Sequence, residues 1–305
     1  MKKKKITILG SSGFIGTNLV KHINSINALI CFDKKKISLN RKHKKKIYKI
    51  YISDLSNKKK LDRALSETSI LFHKANILGG PRSLNIKYAQ IYIKKNVEKL
   101  IFLLNRLKNH KIKKVIYDSS FQVFGEKNYK NKELFPKNYY GLTKLVSEKM
   151  LINWCHQNKV NLDILRYPRI IDESNNNFIS KMIFDAYFKN KIFINDEKKK
   201  FRIVHIADVI NANLFSLKKI NTGIRIFNIA IEKEYNLLEI AKLIKSKLKS
   251  KVKIIVKKNI NKKNFEPKKV FLEKSFFHMP KEFKAKINLK KIIDKKIFKL
   301  TKNEN

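Results

Sequence analysis

Short apolar runs alternate with amphipathic stretches, and a glycine-rich turn separates the first run from the first helical pattern. Together they predict an α/β fold: a Rossmann-like doubly wound parallel sheet with a smaller C-terminal α/β lobe. "KITILG" is the first strand, and "GTNLVKHINSI" has helical periodicity. "ALICFD" and "IYKIYISDL" are the second and third strands, and the short helix "KKKLDRALSE" leads to a fourth, "SILFHKAN". A long helical region between Tyr88 and Asn109 precedes the strand "KKVIYDSS". The helix "YGLTKLVSEKMLINWCHQN" offers Leu142, Val146, Met150, Ile152 and Trp154 as apolar faces, and "VNLDILRYP" returns to strand. Beyond Arg169 the alternation loosens. There "NLLEIAKLIKSKL" is an amphipathic helix, with Leu237, Ile240, Ala241, Ile244 and Leu248 on one side, and "KVKIIVKK" alternates as a strand with one exposed face. The shift divides the chain into domains 1–168 and 169–305, the second partly interleaved with the core of the first.

Composition narrows the function classes. At 305 residues, 43% of them hydrophobic, with only 8 glycines and 5 prolines, the chain can bury a large core and is not of disordered type. Lys+Arg number 71 against 24 for Asp+Glu, a formal net charge of +47. The excess is almost all lysine and is spread from end to end. A nucleic-acid partner would favour a concentrated face and forked arginine contacts, so none is expected. Two cysteines, Cys31 and Cys155, are too few for a disulfide framework or a four-ligand zinc site, and no metal is expected. The basic tip and apolar run of "MKKKKITILGSSGFIG" resemble a signal peptide, but glycines and serines interrupt the run and no cleavage site follows cleanly. No segment reaches the roughly 20 apolar residues that span a bilayer. The expectation is a cytoplasmic protein without a membrane partner.

"ITILGSSGFIGTNLV" places Gly10, Gly13 and Gly16 between a strand and a helix in a G-x-x-G-x-x-G spacing. Such a loop in the first crossover of an open α/β sheet binds a dinucleotide: glycine lets backbone approach the pyrophosphate, and the helix N-terminus offers N–H groups to it. A glycine turn that only brings helix close to sheet would use the same residues. The loop contributes Gly10, Ser12, Gly13, Phe14, Ile15 and Gly16, with Phe14 and Ile15 packing beneath it. Asp33, about 20 residues on, ends the next strand where a carboxylate binds adenosine ribose hydroxyls. That carboxylate repels a 2′-phosphate and favours NAD, while Lys34 to Lys36 leave NADP open. Further on, "NYYGLTK" holds Tyr140 and Lys144 four residues apart, on one helix face. An ammonium beside a phenol favours the phenolate, so Lys144 is expected to lower the Tyr140 pKa.

In this ordered set the chain resembles the extended short-chain dehydrogenase/reductases, in their nucleotide-sugar epimerase/dehydratase group. The three glycines match the fingerprint. "SDL", with Asp54 and Leu55, is similar to the segment that lies against adenine. "LFHKAN" is similar to an H-x-A-A loop beside the cofactor, keeping His73 and Ala75 but departing at Lys74 and Asn76. Asn96 occupies a structural asparagine position, "YDSSFQVFG" resembles the S-S-x-x-V-Y-G strand end, and "YYGLTK" matches Y-x-x-x-K. "FRIVHIADVI" is similar to a segment whose arginine, here Arg202, approaches a substrate phosphate.

The resemblance implies an NAD(P)-binding first domain and a substrate-binding second one. Cofactor contacts are implied for the loop residues, Asp33, Asp54, Leu55, Lys74, Ala75, Asn96, Tyr140 and Lys144. It further implies that Tyr140 moves a proton on a sugar hydroxyl while a hydride passes to or from the nicotinamide. Lys144 would hold the nicotinamide ribose and Ser120 the reacting oxygen. Ser119, Arg169 and Arg202 would bind the substrate, the arginines by forked bonds to a diphosphate. A 4,6-dehydratase carries an Asp-Glu pair after the catalytic hydroxyl, where this chain has Phe121 and Gln122. Double epimerases carry a cysteine near that strand end, and neither Cys31 nor Cys155 lies there. What remains is hydride transfer at one sugar carbon, by a 4-epimerase or a keto-sugar reductase on a nucleotide-diphosphate sugar, in a homodimer. A regulatory or RNA-binding pseudoenzyme on the same fold and a reductase of a non-sugar carbonyl are the alternatives.

Overall fold

Strands rich in isoleucine, valine and phenylalanine can be covered on both faces, and the chain uses them so. The computed structural model describes residues 5–23, 28–125, 133–173, 177–195, 197, 200–219, 221–248, 251–256, 273–274 and 285–302. Its strands are β1 (Lys5–Leu9), β2 (Ala28–Asp33), β3 (Ile47–Ile52), β4 (Ile70–His73), β5 (Lys114–Ser120), β6 (Glu133–Leu134) and β7 (Asn161–Tyr167). Then follow β8 (Arg169–Ile171), β9 (Lys191–Ile194), β10 (Ile203–His205), β11 (Ile224–Asn228), β12 (Lys253–Val256) and β13 (Glu273–Lys274). Seven of them form one parallel sheet in the order β11-β7-β5-β4-β1-β2-β3. The expected doubly wound sheet is therefore present. β1 pairs with both β2 and β4, so the winding reverses at its C-terminal end. In open α/β sheets that reversal opens the crevice where ligands bind.

The chain divides into two compact units. The first comprises Met1–Tyr167, Val209–Ile229 and Leu272–Phe283, and holds the seven-stranded sheet. Every residue of β5 is buried, as a central parallel strand requires. One face packs Leu9, Ile30, Leu71 and Val115 against Leu61 and Leu65 of helix Lys58–Leu65 and Leu100, Leu104 and Leu107 of helix Lys99–Leu107. The long helical region expected after β4 is interrupted: Ala89–Tyr92 is α-helical, Ile93–Glu98 is a π-helix, and Lys99–Leu107 is α-helical again. Within the widened turn, Asn96 is the buried residue.

The second unit comprises Pro168–Asp208, Ala230–Phe271 and Lys284–Asn305. In it β8 pairs with β10 and β9 with β12, both parallel. Helices Phe178–Lys189, Leu237–Leu248 and Leu289–Lys302 close over Ile183, Ile192, Ile240, Ile244 and Ile292.

Several charges in the first unit's core are met by opposite ones. Lys114 Nζ lies 2.7 Å from Asp163 Oδ2, and Arg225 donates two bonds to the same carboxylate, from Nε at 2.8 Å and Nη2 at 2.7 Å. Arg166 grips Glu148 bidentately, at 2.9 and 2.6 Å, with both side chains 1% exposed. Removing one partner strands the other in a low-dielectric interior. Arg166→Leu is therefore expected to cost about 3–5 kcal/mol in urea unfolding. Adding Glu148→Leu is expected to recover most of that loss.

Candidate active site

At the sheet reversal, the turn after β1 hangs on β2: Gly10 N–H donates to Phe32 O at 2.9 Å, and Ser12 N–H donates to Asp33 Oδ2 at 2.9 Å. Gly10 has φ +84°, and a Cβ there would lie 2.6 Å from Ala75 N, so only glycine lets the β4 loop press against it. Gly16, in the first helical turn, backs onto the Gly10 carbonyl. Gly13 caps helix Phe14–His22 without any side-chain bond, and it is exposed. The helix N-terminus thus faces outward with no capping side chain, which fits an anionic ligand. Phe14 and Ile15 are half-buried.

The acids flanking this turn are engaged by the protein itself. Besides taking the Ser12 N–H, Asp33 accepts from Lys35 N at 3.4 Å. Asp54 is clamped by Lys99 at 2.7 Å and Lys34 at 2.5 Å and accepts twice from Ser56. Partial burial raises its carboxyl, but the bonds from Lys34, Lys99 and Ser56 outweigh that and hold it far below the usual range. Leu55 is 5% exposed and packs into the core.

Ser120, Tyr140 and Lys144 come together at the end of β5. Asn138 caps helix Tyr139–Gln157 by accepting from Gly141 N at 2.8 Å, which starts the helix next to the β5 end. Tyr140 is half-buried and hydrogen-bonded with the Ser120 hydroxyl. Its ring meets Tyr92 edge-on, centroids 6.3 Å apart. On another side lies Gly79, where an added Cβ would stand 2.6 Å from the ring carbon Cδ1. Lys144, one turn on and 2% exposed, donates to Asp118 O at 2.5 Å and Tyr117 Oη at 3.1 Å.

These surroundings reverse one expectation. Burial pushes Tyr140 up to about 12, with the Ser120 hydrogen bond pulling against it. Lys144 does not offset the burial: its ammonium is turned to Asp118 and Tyr117 and stands 6.0 Å from the Tyr140 ring centroid. Lys144 itself is brought down to about 7 by burial, which Asp118 and Glu148 resist and Lys74 assists.

Lys74 completes the picture. Its Nζ donates to Asp118 Oδ1 at 2.5 Å and Asn213 Oδ1 at 2.6 Å. Tyr167 Oη donates to the same Asp118 oxygen at 3.2 Å and accepts from Asn213 Nδ2 at 2.9 Å, closing a buried ring of four side chains. Asn96 bridges two elements, accepting from Ile77 N at 3.0 Å and donating to Thr143 Oγ1 at 3.1 Å. Ser119 does not face outward as a substrate contact would: its hydroxyl donates to Glu148, the partner of Arg166. Arg169 and Arg202 belong to the second unit, where Arg169 pairs with Ile203 in the β8–β10 ladder. Arg169 is exposed, its guanidinium 5.0 Å from the Phe201 ring centroid. Arg202 is half-buried. Among the described residues there is no cluster suited to a metal, and no helix long and apolar enough to cross a membrane.

The model of the NAD dependent epimerase/dehydratase family matches residues 6–230. The chain belongs to that family. Among characterised members, it is 27% identical over 270 residues to an ADP-L-glycero-D-manno-heptose-6-epimerase of Brachyspira hyodysenteriae, covering 80% of this chain and 81% of that one. It is 20% identical over 254 residues to an undecaprenyl-diphosphate-linked N-acetylglucosamine 4-epimerase of Escherichia coli O157:H7, covering 81% and 73%. The fold matches that of a UDP-glucuronic acid 4-epimerase from Bacillus cereus solved with NAD, with a TM-score of 0.79 at 20% identity over 98% of this chain and 99% of that one.

Within this family's chemistry, the sequence alone did not single out Asp118, Tyr167, Asn213 or Tyr92. An aspartate closing an apolar strand was a visible signal for Asp118; Asn213, in helix Ile206–Lys218, carried none.

The low Lys144 pKa has a consequence for stability. Between about pH 7 and the ordinary lysine value the unfolded chain holds this proton and the folded protein does not, so stability falls as pH drops through that window. Lys144→Met is expected to remove this contribution. Urea midpoints at pH 7 and pH 10 should then lie closer together in the variant than in the wild type.

Proposed function

We propose that the protein is an NAD-dependent nucleotide-sugar 4-epimerase. The observation that carries this is the meeting of Ser120, Tyr140 and Lys144 at the end of β5, beside the uncapped helix start at the sheet reversal. Bound NAD would supply a hydride acceptor that returns the hydride to the same carbon. The chain's residues do the rest. Gly10, Gly13 and Gly16 admit the pyrophosphate, and the Asp33 carboxylate, with Lys34 engaged by Asp54, favours NAD over NADP. Ser120 orients the substrate hydroxyl and the Tyr140 phenolic oxygen exchanges its proton. Lys144, its ammonium anchored on Asp118 O and Tyr117 Oη, holds the cofactor ribose. Tyr92 and Gly79 fix the plane of the phenol ring.

Phe121 and Gln122 offer no general acid or base where a dehydratase needs one, which favours epimerisation. Gln122 instead accepts from Asn138 Nδ2 at 2.7 Å, which ties the post-β5 turn to the helix start. Relatives whose names carry sugar diphosphates support a diphosphate-linked sugar as substrate. Arg202 and Arg169 are the side chains assigned to that diphosphate. The same reading takes the protein as a homodimer, joined through the helices that expose Ile91 and Ile101 on one side and Leu142 and Val146 on the other.

Tyr140→Phe is expected to reduce UDP-sugar turnover by about 10²–10⁴-fold while leaving NAD affinity within a few-fold. Retained turnover in that variant refutes the proposed acid–base role. Arg202→Ala is expected to raise KM for a UDP-sugar by about tenfold or more, with NAD binding unaltered by calorimetry.

A further inference from the structure

Lys74 is buried behind the reacting groups, and the chemistry described so far assigns it no step. Its side chain is 2% exposed, and its Nζ is engaged by Asp118 Oδ1 at 2.5 Å and Asn213 Oδ1 at 2.6 Å. Whatever it does for the reaction it does through other residues. Adjacent strand residues point to opposite faces, so the Tyr117 phenol and the Asp118 carboxylate lie on opposite sides of β5. Lys144 is bound on the first side, by Tyr117 Oη at 3.1 Å and the Asp118 backbone carbonyl at 2.5 Å. Lys74 is bound on the second, by the carboxylate. One residue therefore carries both lysines, and its Oδ2 is shut off from solvent and has no hydrogen-bond partner.

The other titratable groups around Lys144 have their charge fixed. From β4, burial holds His73 at about 3, a neutral imidazole. Burial keeps Tyr117 on β5, Tyr167 on β7 and Tyr140 on the Lys144 helix as phenols. Glu148, one turn further along that helix, is gripped by Arg166 of β7. There remain the Asp118 carboxylate, which favours an ammonium at Lys144, and the Lys74 cation, which opposes it. We propose that Lys74 is a positioning residue: acting through Asp118, its cation offsets the carboxylate behind the strand and leaves Lys144 free to gain or lose a proton during turnover. The role rests on the epimerase reading, in which a hydroxyl proton is removed and then returned at one site. Groups that change charge near the working pH serve both steps. A neutral side chain at position 74 would let Asp118 fix Lys144 as an ammonium.

Wild type, Lys74→Gln, Asp118→Asn and the double variant are isotope-labelled at lysine Cε and titrated by NMR, with Lys144→Met identifying the Lys144 signal. Glutamine keeps an N–H for Asp118 and removes the charge. The expected result is a Lys144 midpoint at about 7 in the wild type, raised by about one pH unit or more in Lys74→Gln. Adding Lys74→Gln to Asp118→Asn is expected to raise the midpoint as well, and this comparison decides if the single variant does not fold. In the pH profile of kcat/KM for a UDP-sugar, the neutral limb is expected to move up with the midpoint. An unmoved midpoint overturns the proposal, and so does a moved midpoint with an unmoved pH profile. A wild type that binds NAD yet turns over no UDP-sugar at any pH refutes the epimerase reading, and the turnover role with it, while the midpoint still reports the charge coupling.

Discussion

One carboxylate stands between two buried ammonium groups. Asp118 takes the side chain of Lys74 on Oδ1 and the side chain of Lys144 on its backbone carbonyl. In a low-dielectric interior two cations this close repel, and Asp118, joined at Lys144 by the charge of Glu148, is what allows both to be there. The arrangement sets the state of the site. Lys74 is held by a full ion pair, while Lys144 has only a carbonyl, a phenol and the more distant negative charges. Lys144 is thus the one poised near neutrality, beside a tyrosine that burial keeps protonated.

The reach of sequence reasoning follows from what each signal depends on. Strand order and the glycine turn were legible because backbone periodicity and glycine geometry are local properties. Tyr140 and Lys144 were legible because a helix fixes their spacing. The direction of the Tyr140 shift was not, since it depends on where the Lys144 ammonium turns, and that is decided by Asp118 and Tyr117 on another strand. Ser119 was misplaced for a related reason. In a strand, adjacent serines point to opposite faces, and only the buried Glu148–Arg166 pair shows which face Ser119 takes. The π-helical turn at Asn96 likewise leaves no mark in an apolar pattern that suits either helix.

The compositional excess of lysine and asparagine is absorbed rather than merely tolerated. Asn40, Asn57, Asn138 and Asn177 each cap a helix through their side-chain oxygens, so a common residue falls where it stabilises. Lysines reach the interior at Lys74, Lys114 and Lys144, each met by a carboxylate or carbonyl. The arginines, far scarcer, take the forked positions on Glu148, Asp163 and Asp62.

The sheet's last strand, β11, comes from a stretch that follows the first segment of the second unit in the chain, and Asn213 arrives with it. No single scissor cut can therefore release the nucleotide-facing half intact. A fragment ending at Tyr167 would leave the edge of β7 bare and Lys74 lacking one of its two acceptors, inviting self-association through unpaired backbone. Ribosomal synthesis meets the same restriction: the central layer stays unfinished until more than two hundred residues have emerged, whatever the order in which its earlier strands dock.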